Sequence, residues 1–245
     1  MRLQHIVLLV VFCLSGSKNT LASPNDTSTN HKLFAAIFED MEISPHRYST
    51  DEKIESLLKG PDIPPRFSQM EFLFVNNKKI RNLNNFPSMT KLGNLDISDN
   101  QISSLQGLES RYARLEFFVL DNNLLQDLSA CPAHLERLVT FSASGNKLAS
   151  LKGIPRQLPK LENLNLANNA LKNLQFFPRL GRHIGYISLA GNEDLEDISP
   201  LIESLEEYRL EACQDLVIDL RSSSVPESQV ELLHSLKGSV SIMHD

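Results

Sequence analysis

Apolar residues recur along this chain at a fixed period, and within each period they occupy the same places of one frame, L-x-x-L-x-L-x-x-N-x-L. Clear copies are LGNLDISDNQI at residues 92–102, LEFFVLDNNLL at 115–125, LVTFSASGNKL at 138–148 and LENLNLANNAL at 161–171. Weaker copies flank them: MEFLFVNNKKI from Met70, IGYISLAGNED from Ile184 and LEEYRLEACQD from Leu205. The first positions are therefore spaced by 22, 23, 23, 23, 23 and 21 residues. That regularity defines about seven repeats and excludes coincidence.

The frame predicts its own local structure. The stretch x-L-x-L-x is a short strand whose alternate side chains point to opposite faces. Positions four and six then face inward, and strands of successive repeats stack in parallel, about 4.7–4.9 Å apart. No repeat covers its apolar side alone, so each needs its neighbours. Position nine lies where the chain leaves the strand, and an amide there both donates and accepts inside the stack. Asn100, Asn123, Asn146, Asn169 and Asn192 hold that position, and Cys213 replaces the amide in the seventh copy. In the first copy Lys78 stands there, with Asn76 or Asn77 as alternatives. Beyond position nine, apolar residues fall at every third place, as in Ile102, Leu105 and Leu108 or Leu171, Leu174 and Phe177. That spacing predicts a short 3₁₀-like or helical return segment, with Pro155, Pro178 and Pro200 limiting its length.

This frame over residues 70–216 resembles the roughly 22-residue leucine-rich-repeat subclass found in a regulatory subunit of protein phosphatase 1, in acidic nuclear leucine-rich phosphoproteins and in a spliceosomal U2-particle protein. The resemblance implies an α/β repeat fold: a solenoid with a parallel concave sheet and short 3₁₀ or helical convex segments. A solenoid also exposes its core at both ends and needs caps. Leu33, Phe34, Ile37, Phe38 and Met41 fall on one helical face, and Ser49-Thr50-Asp51-Glu52 is a capping box for a second helix. At the other end, residues 216–220 are predicted as a strand and 226–237 as a helix, with Val240 and Ile242 in a last short strand. The expected organisation is a leader at 1–22, a polar tail and helical cap at 23–66, repeats at 67–216 and a strand–helix cap at 217–245.

The leader changes the setting. Arg2 precedes a wholly apolar run, IVLLVVFCL at residues 6–14, and Thr20-Leu21-Ala22 resembles a cleavage site. The run is far short of the roughly 20 apolar residues that cross a bilayer. No later segment is long and apolar enough either, so no membrane span is expected. A secreted or secretory-pathway lumenal protein is the expectation, and Asn25-Asp26-Thr27 is a glycosylation sequon in that compartment. Loss of residues 1–22 removes Arg2 and Lys18 and moves the net charge from −6 to −8. Without a basic footprint, nucleic acid is not an expected partner.

Candidate chemistry is sparse. The seven histidines are scattered without metal-ligand spacing, so no metal site is expected. Cys131 and Cys213 sit about four strand spacings apart, roughly 19 Å, against the ~7 Å limit of a disulfide. No phosphate-binding glycine loop and no nucleophile elbow is present. The expectation is a non-enzyme without catalytic residues or cofactor.

Binding is expected on the concave face. Positions two, three, five, seven and eight point away from the core there. Position three holds Phe72, Asn94, Phe117, Thr140, Asn163, Tyr186 and Glu207; position five holds Phe74, Asp96, Val119, Ser142, Asn165, Ser188 and Arg209. Aromatic groups on a rigid surface are common interface anchors. Asp96, Asp99, Glu116, Asp121 and Glu162 surround them, which suits a protein partner with a basic patch. The subclass resemblance implies an alternative, an intracellular regulatory subunit of an enzyme such as a protein phosphatase.

Overall fold

The computed structural model describes residues 71–83, 89–108, 112–207, 216–236 and 240–245, all within the compact unit Asp51–Asp245. The leader, Asn25, the two N-terminal helices, Arg209 and Cys213 lie outside the described residues.

Seven three- or four-residue strands follow the repeat: β1 (Phe72–Phe74), β2 (Asn94–Asp96), β3 (Phe117–Val119), β4 (Thr140–Ser142), β6 (Asn163–Asn165), β8 (Tyr186–Ser188) and β9 (Leu216–Asp219). With β10 (Val240–Met243) they form one parallel sheet in the order β1-β2-β3-β4-β6-β8-β9-β10. Register never slips. Phe72 pairs with Asn94, Asn94 with Phe117, Phe117 with Thr140, Thr140 with Asn163 and Asn163 with Tyr186. Late in the fourth and fifth coils, β5 (Gln157–Leu158) and β7 (Arg179–Leu180) make a second, two-stranded parallel sheet.

The core follows the frame. Leu95, Ile97, Ile102, Leu105 and Leu108 are all buried in the second copy, as are Leu164, Leu166, Leu171 and Leu174 in the fifth. Two successive repeats carry phenylalanine at position four. Phe118 and Phe141 meet edge to face with ring centroids 5.7 Å apart, an arrangement favoured by the aromatic quadrupole.

Each position-nine asparagine joins two coils. The Asn123 carboxamide donates to the carbonyls of Leu120 and Asp121 in its own coil and of Ile97 in the preceding one, and its Oδ1 accepts from Ile102 N at 3.0 Å. Asn100, Asn146, Asn169 and Asn192 repeat the pattern, accepting from Ile80, Leu125, Leu148 and Leu171. In the first copy the amide of Lys78 is held by Asn100 Oδ1 from the next coil. Among the described residues no buried side-chain nitrogen or oxygen lacks a hydrogen-bond partner.

Two features differ from the sequence expectation. The return segments of the second to fifth copies make one i→i+3 bond each, as from Leu108 N to Leu105 O and from Ile154 N to Leu151 O. Their third residues have positive φ: Gly107 (107°), Ala130 (68°), Gly153 (93°) and Phe176 (71°). That is type II turn geometry, not 3₁₀, and the threefold apolar spacing reflects the two ends of the turn. A Cβ on Gly153 would stand 2.2 Å from Leu128 O, so here glycine also permits close approach of the coils.

The seventh copy is misplaced in the sequence reading. Leu205 is a buried residue of helix α1 (Ser199–Glu207), not the start of a strand, and Glu207 is helical. The strand beside β8 is β9, with Tyr186 opposite Val217. The step from Tyr186 to Val217 is 31 residues, against 23 from Asn163 to Tyr186. The seats assigned to Arg209 and Cys213 therefore belong to Asp219 and Ser223. Pro200 falls in the first helical turn, where its missing N–H costs nothing, so it starts a helix rather than stopping one. Beyond β9, helix α2 (Glu227–Ser235) buries Val230 and Leu233, and β10 ends the sheet.

Candidate functional site

The outward face of the sheet is built from positions three and five, with the loops at seven and eight beside them. Position three is half-buried at Phe72, Asn94, Phe117, Asn163 and Tyr186, and fully buried at Thr140. Rigid strands therefore hold two phenylalanine rings and one phenol partly in solvent, although the core has no use for them.

Position five is different. Phe74 is half-buried, but Asp96, Val119, Ser142, Asn165, Ser188 and Asp219 are buried. This corrects the expectation that the column is open. Short side chains on closely spaced strands pack against one another and form a floor, while position three forms the walls. Asp121, at position seven, is buried as well. Of the five acids expected to rim the face, Asp99 and Glu116 are exposed and Glu162 is half-exposed.

Local hydrogen bonds explain how carboxylates sit in this floor. Asp96 Oδ1 accepts from Ser98 N at 2.9 Å and Ser98 Oγ at 2.6 Å. Asp121 Oδ1 reaches the next coil and accepts from Ser142 Oγ at 2.6 Å and Ser144 N at 2.8 Å. Burial raises the pKa of both, against these bonds; Asp121 is pushed up to about 6, with the Asp96 and Asp99 charges adding to the effect. At the C-terminal end, Asp219 accepts from Arg221 Nε at 2.9 Å and Nη2 at 2.7 Å. Asp219 in turn raises the Arg221 pKa. This fork near Tyr186 was missed because the misplaced seventh copy hid both residues.

Position eight was legible but unread. It has positive φ in every described coil: Asn77, Asp99, Asn122, Gly145, Asn168, Gly191 and Ser222. Asparagine, aspartate and glycine tolerate that conformation best. The column turns the chain out of each strand, and Ser222 confirms the register of β9. Asn122 Nδ2 also donates to Asp99 Oδ1 at 2.9 Å, tying two turns together at the rim.

Elsewhere the chemistry is quiet. Cys131 is a buried free thiol whose pKa burial pushes up to about 12, so it is held as an unreactive thiol. Among the described residues no cluster of three or more His, Cys, Asp or Glu has the geometry to hold a metal ion. Among the same residues no helix is long and apolar enough to cross a membrane.

Residues 136–179 match the protein family described as leucine-rich repeats in two copies. No curated protein matches the chain by sequence. Among solved structures the chain is similar to internalin C2 from Listeria monocytogenes, at 17% identity and a TM-score of 0.49, over 80% of this chain and 92% of that one. The unbroken parallel register, the buried leucine frame and the asparagine at five successive turns make the described residues a leucine-rich-repeat solenoid.

Proposed function

We propose that this chain is a secreted, non-enzymatic recognition module that binds another protein on the outward, concave face of its sheet. The carrying observation is the position-three column, where Phe72, Phe117 and Tyr186 stand partly in solvent on a backbone whose register is fixed from β1 to β9. Rigid aromatic groups lose little conformational freedom on binding, which favours them as anchors. The partner is expected to carry a basic patch that meets Asp99, Glu116 and Glu162 at the rim, rather than the buried Asp96 and Asp121. The secretory setting rests on the leader, and Asn25 is the proposed glycan site. Residues 23–66 and 217–245 are proposed as end caps.

The test is capture of a partner by the mature protein, compared with a Phe72→Ala, Phe117→Ala double variant. Loss of at least tenfold in affinity with an unchanged thermal transition is expected, since interface aromatics often contribute about 2 kcal/mol or more each. Undiminished capture sinks the assignment of the face. Sequencing the N-terminus of the natural protein checks the setting, with a start near Ser23 expected.

A further inference from the structure

Five of the described coils begin their strands through the same turn. Leu92 N bonds to Met89 O, Leu115 N to Tyr112 O, Leu138 N to Leu135 O, Leu161 N to Leu158 O and Ile184 N to Gly181 O. The third residue of these five turns is Lys91, Arg114, Arg137, Lys160 and His183, and all five are exposed. The chain as a whole carries net charge −6, yet this column holds four cations and an imidazole and no acid.

The turn does not require them. None of the five has positive φ, and the residue just before each varies freely: Thr90, Ala113, Glu136, Pro159 and Arg182. Nor do they satisfy internal acids. Glu71, Glu116 and Glu162 lie two residues beyond the turn position in alternate coils, and Glu136 adjoins Arg137. Even so, none of the four Lys and Arg side chains makes an ion pair or hydrogen bond. Hydrogen bonds two residues later keep the columns aligned, as from Glu116 N to Gly93 O at 2.7 Å and from Glu162 N to Val139 O at 2.8 Å. The cations therefore recur once per coil where the strands start, with backbones about one strand spacing, 4.7–4.9 Å, apart.

We propose that Lys91, Arg114, Arg137, Lys160 and His183 form a binding edge for a linear sulfated polysaccharide. The step between charges favours this ligand over other polyanions. An extended acidic peptide repeats same-face carboxylates about every 6.6–6.8 Å, so it falls out of step by more than one position across five coils. Single-stranded nucleic acid is held by aromatic platforms between cations, and the exposed residues beside this row supply none. A linear sulfated polysaccharide carries anionic groups on successive sugar rings and on both sides of its chain, so flexible Lys and Arg side chains on every coil have an oxyanion within reach. Arginine forks at Arg114 and Arg137 suit planar or tripod oxyanions. The edge adjoins the rim of the outward face at Glu116 and Glu162, but the proposal does not depend on the protein-binding reading.

The experiment is titration of the full chain with a heparin oligosaccharide at about 150 mM salt, where distant surface charges are screened. An Arg114→Ser, Arg137→Ser, Lys160→Ser variant is compared with a charge-matched control, Lys79→Ser, Lys147→Ser, Lys152→Ser, in which every site is also exposed. Loss of about tenfold or more is expected for the row variant, with less than a twofold change for the control. An Arg114→Lys, Arg137→Lys variant, which keeps the charges but not the forks, is expected to lose less binding than the row variant, and an unchanged thermal transition in every variant guards against a folding artefact. Absence of binding by the unaltered chain, or equal loss in both triple variants, overturns the proposal. So does competition by polyglutamate as effective as that by heparin, which would reassign the edge to acidic peptide.

Discussion

The second to fifth coils and the C-terminal end solve the same problem with different parts. In residues 92–183 every coil has 23 residues, and one asparagine per coil satisfies carbonyls on both sides of a junction. Past Ile184 the spacing breaks and α1 enters, yet Val217 lands opposite Tyr186 in the same register. There the asparagine seat holds Ser223, whose hydroxyl reaches only Leu220 O in its own coil, at 2.6 Å. Bonds across to the preceding coil come from Ser224 Oγ to Glu193 O at 2.6 Å and from α2, where Gln229 accepts from Ile198 N at 2.7 Å and donates to Glu196 O. Register thus depends on strand pairing and core burial, while the tether between coils is interchangeable.

The largest test of this contrast is in the core. Phe141→Ala is expected to cost about 3–5 kcal/mol and Ile218→Ala about 2–5 kcal/mol, both read from urea melts. A much smaller loss at Ile218 would show that β9 is only loosely joined to the regular coils. Next comes the tether. Asn146→Ala strands Leu125 N, at about 1–3 kcal/mol for that buried donor, while Leu120 O and Ala143 O keep the bonds from Asn123 and Asn169. Ser223→Ala removes one bond, worth about 1 kcal/mol. Similar losses at the two sites would erase the distinction.

A smaller effect concerns Asp121. Its folded-state pKa is raised from 3.8 to about 6. A carboxyl raised by burial contributes stability that is fully present below its unfolded pKa and is lost as pH rises through the folded value. From this group alone the protein is about 1–1.5 kcal/mol more stable at pH 5 than at pH 7.5. Asp121→Asn keeps an acceptor for Ser142 and Ser144, raises the melting temperature at pH 7.5 and flattens the profile. An unchanged profile in that variant assigns the dependence elsewhere.

The smallest effect is at the turn. Phe176 holds a positive φ of 71° where two other coils have glycine, and its ring is 54% exposed. Replacing it with glycine relieves left-handed strain of roughly 1–2 kcal/mol and gives back about half through the freer unfolded chain. A net rise of about 0.5–1 kcal/mol in thermal stability is expected; a loss would mean that the ring packs on something outside the described residues.

The regular coils were legible because each residue obeys one local rule, an inward leucine or a turning asparagine. The seventh coil was not, because LEEYRL satisfies that rule while Leu201, Ile202 and Leu205 also line one face of a helix. Only the later strand, with Asp219 and Ser222 at the right offsets, decides between them. The walls of the outward face were legible from strand alternation. Its buried floor was not, since the burial of Asp96 and Asn165 depends on neighbours a full coil away. The exposed row at the start of the strands went unread because the frame begins one residue after it.

The asparagine tether has a consequence for length. Because Asn146 reaches no further than the coil before it, removing residues 138–160 would bring Leu161 to the seat of Leu138 and leave every kind of junction in place. The molecule is assembled from exchangeable parts, so its reach along a ligand is set by how many are strung together and not by redesign of any one of them.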